Sequence, residues 1–273
     1  VFVDQDIEIH QIKNIKRKGL SWWLTRKKIE KKINQLYSLN KIDIVEAADW
    51  TGITSFINSK CPIVIKLHGS DTYFCHLDKR PIKALNKFHE KRALKKANGH
   101  IAVSQYVADV TNKVFNQKIP YKVIHNGVNL NNFKVTPSTN TLSILYLGTL
   151  IRKKGVLEIP YIFNELVKQV PNATLHLVGG DSADILTKKS STWELMQPLF
   201  DTDVKDKVTY HGKVPYEKVN QFLEQATICI FPSFAEAFPV SWLEAMAKGK
   251  AIVASNIGWG PEVLTNNDQG ILV

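Results

Sequence analysis

Short runs rich in Val and Ile alternate along this chain with longer segments whose apolar residues recur with the period of a helix. This alternation is typical of βα units that build a parallel sheet, because strands covered by helices on both faces are apolar throughout. The predicted strands are Ile42–Glu46, Pro62–Leu67, Gly99–Val103, Tyr121–His125, Leu142–Leu147, Ala173–Val178, Lys207–Tyr210, Thr227–Phe231 and Ala251–Ala254. The predicted helices are Ser21–Tyr37, Ile82–Ala97, Val156–Val170, Ala183–Phe200, Pro215–Gln225 and Val240–Lys248. This order predicts an α/β fold.

A polar segment without periodicity, Asn131 to Thr141, interrupts the alternation and has the composition of a linker. We therefore predict two βαβ domains, residues 1–135 and 141–273, which agrees with roughly 150 residues per domain in a chain of 273. Two such sheets in succession predict a cleft that their strand ends face, where ligands of these folds bind. The pattern begins in mid-strand and ends in a strand just begun, so we expect the first domain to be incomplete at its start and the second at its end.

The composition narrows the classes of partner. Lys and Arg total 36 against 25 Asp and Glu, and this net charge of +11 favours an anionic partner such as nucleic acid, acidic lipid or a phosphorylated ligand. Three cysteines without a CxxC pair favour a reducing compartment over a disulfide framework or a zinc site. No apolar run approaches the ~18 residues of a membrane span, and the first residues lack the order of a signal peptide. We therefore expect a cytoplasmic location.

The stretch from Phe231 to Leu264 contains two glutamates in a distinctive setting. A predicted strand ends at Phe231, Glu236 lies in the following loop, and Glu244 lies one turn inside a helix that begins near Val240. A carboxylate presented there accepts two hydrogen bonds from a vicinal diol such as a ribose, and the helix N-terminus favours a diphosphate. The pattern also fits a first-turn glutamate that only complements the helix dipole, so the residues alone leave both readings open.

Two further positions have the placement of ligand-binding residues. Lys154 ends the run Arg152-Lys153-Lys154 and precedes Gly155 at the predicted start of a helix, which favours phosphate binding over an ordinary solvated charge run. His68 follows an apolar run and precedes a glycine, so it is predicted at the carboxyl end of a strand. That placement favours a functional role over a structural one.

Together these motifs resemble the retaining glycosyltransferases of family 4, which have the GT-B fold of two Rossmann-like domains. The donor-binding signature of that family is matched by Pro232-Ser233, Glu236, Phe238, Leu243 to Ala247, Gly249 and Gly260 to Val263. Its other elements are matched, in the expected order, by His68-Gly69, Ser104, Asn126 to Asn129 and Gly148 to Gly155. The resemblance covers the chain from about Ile42 to its last residue.

The resemblance implies transfer of a sugar, of the hexosyl type and without a metal ion or cofactor, from a UDP- or GDP-linked donor to a hydroxyl of a glycan or lipid-linked acceptor. It places Glu244 at the ribose, Glu236 at the donor sugar near its anomeric centre, Lys154 at the diphosphate and His68 beside the sugar as a second catalytic residue. The remaining donor-binding positions that it implies are Gly148, Thr149, Arg152, Phe238, Pro239 and Val240.

The chain departs from the family pattern at two of these positions. Thr149 stands where the family usually has Arg, and we expect the nearby Arg152 to supply the missing phosphate cation. Pro239 stands where many members have Gly, and because proline has no N–H group, a hydrogen bond from that amide to the donor is lost.

A basic cluster in the first domain contains two tryptophans. Its members are Lys13, Lys16, Arg17, Lys18, Trp22, Trp23, Arg26, Lys27, Lys28, Lys31 and Lys32. The cluster fits both an anionic membrane surface and an ordinary solvated face with inward tryptophans. The lipid-anchored acceptors of the family favour peripheral association with the inner face of the cytoplasmic membrane, in bacterial-type surface polysaccharide or glycolipid synthesis.

Two alternatives to glycosyl transfer stay open at this point. A GT-B nucleotide-sugar 2-epimerase shares the architecture and the diol-binding carboxylate, although the spacing of the two glutamates fits family 4 better. A non-enzymatic basic module that binds membrane or nucleic acid leaves the donor-site signature unexplained, and we expect no nucleic-acid partner.

Overall fold

The computed structural model describes residues 1–135, 142–265 and 268–273. They form two compact units: Val1–Val103 with Val107–Ile124, and Ser104–Tyr106 with His125–Val273. Each unit contains its own parallel sheet, so the predicted α/β class is confirmed.

The first unit has a sheet of consecutive strands in the order β3-β4-β5-β6, all parallel, and an N-terminal antiparallel hairpin, β1-β2. Its strands are β1 (Phe2–Asp4), β2 (Ile7–Ile9), β3 (Val45–Ala48), β4 (Ile63–Leu67), β5 (Gly99–Ala102) and β6 (Lys122–Val123). Its helices are α1 (Ser21–Ser38), α2 (Asp71–Leu77), α3 (Ala84–Lys96) and α4 (Gln105–Phe115), of which the first residues of α4 are grouped with the second unit.

The second unit has a parallel sheet in the order β12-β11-β10-β7-β8-β9. Its strands are β7 (Ser143–Leu147), β8 (Thr174–Val178), β9 (Val208–Tyr210), β10 (Ile228–Phe231), β11 (Ala251–Ala254) and β12 (Ile271–Leu272). Its helices are α5 (Ile159–Gln169), α6 (Trp193–Met196), α7 (Tyr216–Gln225), α8 (Val240–Ala247) and α9 (Gly260–Val263). The chain adds β8 and β9 on one side of β7 and then β10 to β12 on the other.

The burial of β7, the first strand of this sheet in chain order, explains why all of its residues after Ser143 are apolar or aromatic. Every residue of β7 is buried: Leu145 and Leu147 pack with Trp242 of α8 on one face, and Ile144 and Tyr146 pack with the α5 side on the other. Helices therefore cover both faces of the sheet, as the alternation predicts.

One predicted helix is wrong. Of Ala183–Phe200, the structure has only α6 and a 3-10 turn at Gln197–Leu199 in helical form. The Asp184 carboxylate accepts hydrogen bonds from both the backbone N–H and the hydroxyl of Thr187, and Lys188 has a φ of +64°. Such side-chain bonds to nearby backbone compete with helix formation, which explains the difference.

The helix predicted from Val156 begins later than expected, at Ile159. Arg152–Lys154 form a 3-10 turn, and Gly155 caps it with a φ of +65°. The N-terminal amides of α5 therefore do not directly follow Lys154.

The segment before the predicted domain boundary packs with the second unit. Phe133 is 7% exposed within its core, and the Asn220 side chain donates a hydrogen bond to the Asn132 carbonyl. Residues 136–141 of the predicted linker lie outside the described residues. Within the described ranges, no helix has the length and apolarity needed to cross a bilayer.

Candidate functional site

The order of strands in the second unit predicts where a ligand binds. Between β7 and β10 the chain changes the direction in which it adds strands, and the helices that follow these two strands, α5 and α8, pack on opposite faces of the sheet. Such a switch point leaves a crevice at the carboxyl ends of the strands, where open α/β sheets bind their ligands. The loop 148–155 follows β7 and the loop 232–239 follows β10, and both contain residues that the sequence analysis selected.

The two loops are in close contact. The backbone N–H groups of Phe234 and Ala235 both donate to the carbonyl of Lys153, at 2.9 and 3.1 Å. A Cβ atom added at Gly155 would lie 1.7 Å from the Pro232 carbonyl oxygen. This close approach and its positive φ explain why the position is glycine.

Lys154 and Glu236 meet at this contact. The Nζ atom of Lys154 lies 3.0 Å from Oε1 of Glu236, and their side chains are 22% and 13% exposed. Behind them, the buried Tyr146 hydroxyl donates to the Thr149 carbonyl. Burial and the Glu236 charge raise the pKa of Tyr146, so its hydroxyl remains a neutral donor. The structure thus brings together the predicted diphosphate cation and the predicted sugar-binding carboxylate.

The loop after β7 is fixed by an ion pair that the sequence analysis did not predict. Arg152 binds Asp184 in a bidentate manner, with Nε–Oδ1 and Nη2–Oδ2 distances of 2.7 and 3.0 Å. The Asp184 side chain is fully buried, and its hydrogen bond to Arg152 lowers its pKa. Arg152 therefore has a structural partner, which any phosphate bound there would share. The sequence signal that could have indicated this partner is the run Gly179 to Asp184, which directly follows β8.

Glu244 lies in α8, as predicted, and is 6% exposed. Burial raises its pKa, and a hydrogen bond with the Tyr216 side chain opposes that rise. Tyr216 was not among the residues predicted from the sequence. The helix begins at Val240 after Pro239, which has no side-chain group that could cap the helix. The first backbone N–H groups of α8 therefore suit an anion.

Side chains that the sequence analysis matched only by resemblance hold the loop after β10. The Ser104 hydroxyl donates to the Ala237 carbonyl at 2.9 Å, and the Asn126 side chain donates to the Phe238 carbonyl at 3.2 Å. The ring of Phe238 is buried and stacks on His125 with centroids 4.6 Å apart. Phe238 thus packs beneath the loop.

Three other predicted donor-binding residues lie at the same strand ends. Gly148 directly follows β7, where its N–H group donates to the Val178 carbonyl, and the next residue, Thr149, is exposed. Val240 is the first residue of α8 and is 42% exposed. Both the first loop and the helix start therefore present surface at the switch point.

His68 belongs to the first unit and follows β4, as predicted. It is exposed, while its backbone N–H donates to Oδ1 of the buried Asp49 at 3.1 Å. Desolvation, reinforced by Lys66, lowers the pKa of His68, which favours an imidazole that can accept a proton at neutral pH. Burial, with the charge of Glu90, raises the pKa of Asp49 to about 7.

Two members of the basic cluster are directed into the first unit. The Arg26 guanidinium lies 3.3 Å from the Trp22 ring centroid, and that ring stacks on His89 at 3.9 Å. Arg26 is 4% exposed, and burial lowers its pKa to about 10. Trp23 is 45% exposed, so the two tryptophans have different environments.

Comparisons with known proteins agree with this arrangement. The family described as Glycosyl transferases group 1 matches residues 129–273, and Glycosyltransferase Family 4 matches residues 4–132. Similar curated proteins include an uncharacterized glycosyltransferase of Methanocaldococcus jannaschii, 24% identical over 98% of this chain and 71% of its own. The O-antigen chain mannosyltransferase RfbU of Salmonella typhimurium is 28% identical over 67% of this chain and 49% of its own.

Among solved structures, Anabaena HepE in complex with UDP and glucose has a TM-score of 0.75 and 21% identity, covering 98% of this chain and 73% of that one. This likeness shows the fold, which is that of the GT-B glycosyltransferases. The match to the group 1 family, over residues 129–273, includes the switch-point loops, α8 and the paired Lys154 and Glu236. The chain therefore belongs to the group 1 glycosyltransferases.

Proposed function

We propose that this chain is a retaining glycosyltransferase that transfers a sugar from a nucleotide-sugar to an acceptor hydroxyl, in polysaccharide or glycolipid synthesis. The observation that supports this most directly is the switch-point arrangement of Lys154, Glu236 and Glu244 beside the start of α8. Relatives and neighbours support the substrate class, because one is named as an O-antigen mannosyltransferase and another binds UDP and glucose.

The geometry suggests how the leaving group is stabilised. Cleavage of the donor leaves a diphosphate with growing negative charge, which a fixed ammonium and helix amides stabilise through preorganised electrostatics. Lys154 and the first N–H groups of α8 fill these roles in the proposal, so the transfer needs no metal ion. Full activity in excess EDTA supports this, whereas loss of activity that Mg²⁺ or Mn²⁺ restores contradicts it.

Glu244 binds the ribose hydroxyls in this proposal, and Tyr216 orients its carboxylate. A thermal-shift screen of UDP-, GDP- and ADP-sugars identifies the nucleotide, because a donor at 100 times its Kd stabilises the native state by about 2.7 kcal/mol. Glu244→Gln is expected to abolish the stabilisation, and Glu217→Gln, an exposed glutamate of α7, is the matched control. Unchanged stabilisation in Glu244→Gln refutes the assignment.

Glu236 contacts the donor sugar near the anomeric carbon, and His68 contacts sugar or acceptor groups and assists the attacking hydroxyl. The reaction product tests the stereochemistry, since NMR of the new glycosidic bond distinguishes retention from inversion. An epimerised nucleotide-sugar without transfer to an acceptor instead identifies the alternative, a 2-epimerase.

We further propose that the first unit associates with the cytoplasmic face of an anionic membrane. Lys16, Arg17 and Lys18 are exposed and precede Leu20 and Trp23, which are 46% and 45% exposed. Basic residues beside exposed interfacial side chains suit acidic lipid headgroups. Apart from the inward Trp22 and Arg26, this surface keeps the composition that the sequence analysis noted.

Sedimentation with acidic and neutral vesicles tests the association. Trp23→Ala is expected to reduce binding to acidic vesicles, and Trp50→Ala is the matched control because Trp50 is 50% exposed in the same unit and does not belong to the basic cluster. Equal and negligible sedimentation with both vesicle types contradicts the proposal.

A further inference from the structure

The second unit has a groove of about 620 Å³ that includes none of the residues assigned to the donor site. Trp193, Phe200 and Val208 form apolar parts of its lining, and Glu194, Gln197 and Lys205 contribute polar groups. The groove lies beside β9, an edge strand of the sheet, and part of its lining comes from α6 and the 3-10 turn that follows it.

The tryptophan in this groove is held in one position. Its backbone N–H donates to the Asp181 carboxylate at 3.1 Å, and its ring packs against Phe200 and Tyr210 with centroid distances of 6.3 and 5.0 Å. The side chain is half-buried, so part of its surface lines the groove while the rest is packed. A rigid aromatic surface of this kind binds a ligand with little loss of conformational entropy.

Polar side chains surround that ring. Trp193 and Gln197 are four residues apart in the continuous helical segment of α6 and the following 3-10 turn, which places them on one face. Glu194 and Lys205 are exposed at the same groove. In the part of the chain that the structure describes, the side chains of Glu194, Gln197 and Lys205 form no hydrogen bond or ion pair with another residue. A carboxylate, an amide and an ammonium are therefore available to a ligand.

The chemistry of these groups fits a sugar. A pyranose presents a face of C–H groups that packs on an aromatic ring, and its rim of hydroxyls both donates and accepts hydrogen bonds. Charges of both signs make the groove a poor match for a polyanion such as nucleic acid or for an apolar peptide. We propose that this groove is a second carbohydrate-binding site, which holds sugar residues of a glycan chain away from the reacting end. This inference rests on the proposed function, in which the acceptor is a glycan.

Fluorine NMR of protein labelled with 5-fluorotryptophan tests the site directly. The chain has six tryptophans, and Trp193→Phe assigns the resonance of interest. Maltohexaose, cellohexaose and chitohexaose, titrated to millimolar concentrations, sample α-linked, β-linked and N-acetylated pyranoses. At least one is expected to shift the Trp193 resonance with saturation, while the resonances of Trp23 and Trp50, exposed in the first unit, stay unchanged.

Substitutions in the polar rim test the geometry. Gln197→Ala and Lys205→Ala are expected to weaken sugar binding several-fold without changing the melting temperature, since both side chains are exposed. Lys213→Ala, an exposed lysine that does not line the groove, is the matched control. The proposal is overturned if no sugar shifts the Trp193 resonance, if Trp23 shifts equally, or if the shift survives both rim substitutions.

The same samples separate this proposal from that of the donor site. Stabilisation by a nucleotide-sugar without any response of Trp193 overturns the second site and leaves the donor site intact. A sugar response of Trp193 without any stabilisation by a nucleotide-sugar overturns the donor site and leaves the second site intact. Broadening of the Trp193 resonance with protein concentration alone shows that a second copy of the chain fills the groove, and also overturns the proposal.

Discussion

The ion pair between Lys154 and Glu236 makes a specific prediction about nucleotide binding. If the Lys154 ammonium binds the donor diphosphate, it must exchange or share the carboxylate that lies 3.0 Å away in the protein without ligand. Glu236→Gln removes that competing charge and keeps the shape of the side chain. We therefore predict that this substitution tightens the binding of UDP, which has no sugar for Glu236 to contact, while it abolishes sugar transfer.

The expected size of the effect follows from the distance and the exposure. Two unit charges at 3.0 Å attract by about 5.5 kcal/mol at an effective dielectric constant of about 20. Desolvation opposes this attraction, and side chains that remain 22% and 13% exposed are partly screened by solvent. The net energy of such a pair is about 1–2 kcal/mol. Because the carboxylate competes with phosphate for one ammonium, removing this energy is expected to raise UDP affinity by about fivefold to thirtyfold.

Isothermal titration with UDP provides the measurement. Lys154→Ala is expected to weaken binding about 10- to 100-fold, the equivalent of a charge-assisted hydrogen bond of about 1.5–3 kcal/mol. The double variant Lys154→Ala/Glu236→Gln should bind no better than Lys154→Ala, and Lys153→Ala controls for the loss of a neighbouring positive charge. Weaker UDP binding by Glu236→Gln refutes the reasoning and shows that Glu236 positions the lysine. Tightening that persists in the double variant shows that the effect does not pass through Lys154.

Three further predictions concern the stability of the second unit, each measured by urea unfolding. Asp184→Ala removes a buried carboxylate with charge-assisted hydrogen bonds and should lower the free energy of unfolding by about 1–3 kcal/mol. Glu165→Ala breaks an exposed ion pair and should lower it by less than about 0.5 kcal/mol. Equal losses contradict a stabilising role for the Arg152–Asp184 pair. Gly155→Ala combines a positive φ with a collision against a backbone carbonyl, so it should cost at least about 1 kcal/mol and weaken UDP binding; an unchanged midpoint contradicts this. His176 and His211 lie 3.0 Å apart, and burial lowers the pKa of both, so the unfolded chain binds protons more readily below the ordinary value of 6.5. The free energy of unfolding is therefore unaffected by these histidines above that pH and falls below it, by up to about 1.4 kcal/mol per pH unit for each histidine. His211→Gln should make this fall smaller, and an identical pH dependence of unfolding in the variant contradicts the assignment.

The strands and the loop residues were predictable because they depend on local properties. A buried parallel strand is apolar at every position, so β7 and β10 are visible as short apolar runs. Residues that follow such runs lie at the carboxyl ends of strands, which located Lys154, Glu236 and His68. The resemblance to a family then supplied roles that spacing alone left open.

The segment between β8 and β9 was mispredicted because its conformation depends on distant partners. Asp184 is separated in sequence from Arg152, yet their bidentate pair and the bonds to Thr187 replace the helical hydrogen bonds that the composition favours. For the same reason Arg152 has a structural partner that its place in a basic run did not indicate.

The sequence by itself determined the α/β class, the approximate positions of β3 to β11, and the residue types available for binding a nucleotide-sugar. Tertiary structure decided which of them meet: Lys154 with Glu236, Arg152 with Asp184, and Tyr216 with Glu244. The physical reason is that apolar periodicity is written in neighbouring residues, whereas an ion pair depends on where the sheet order brings loops from distant parts of the chain. In the second unit, that order places the loops after β7 and β10 side by side.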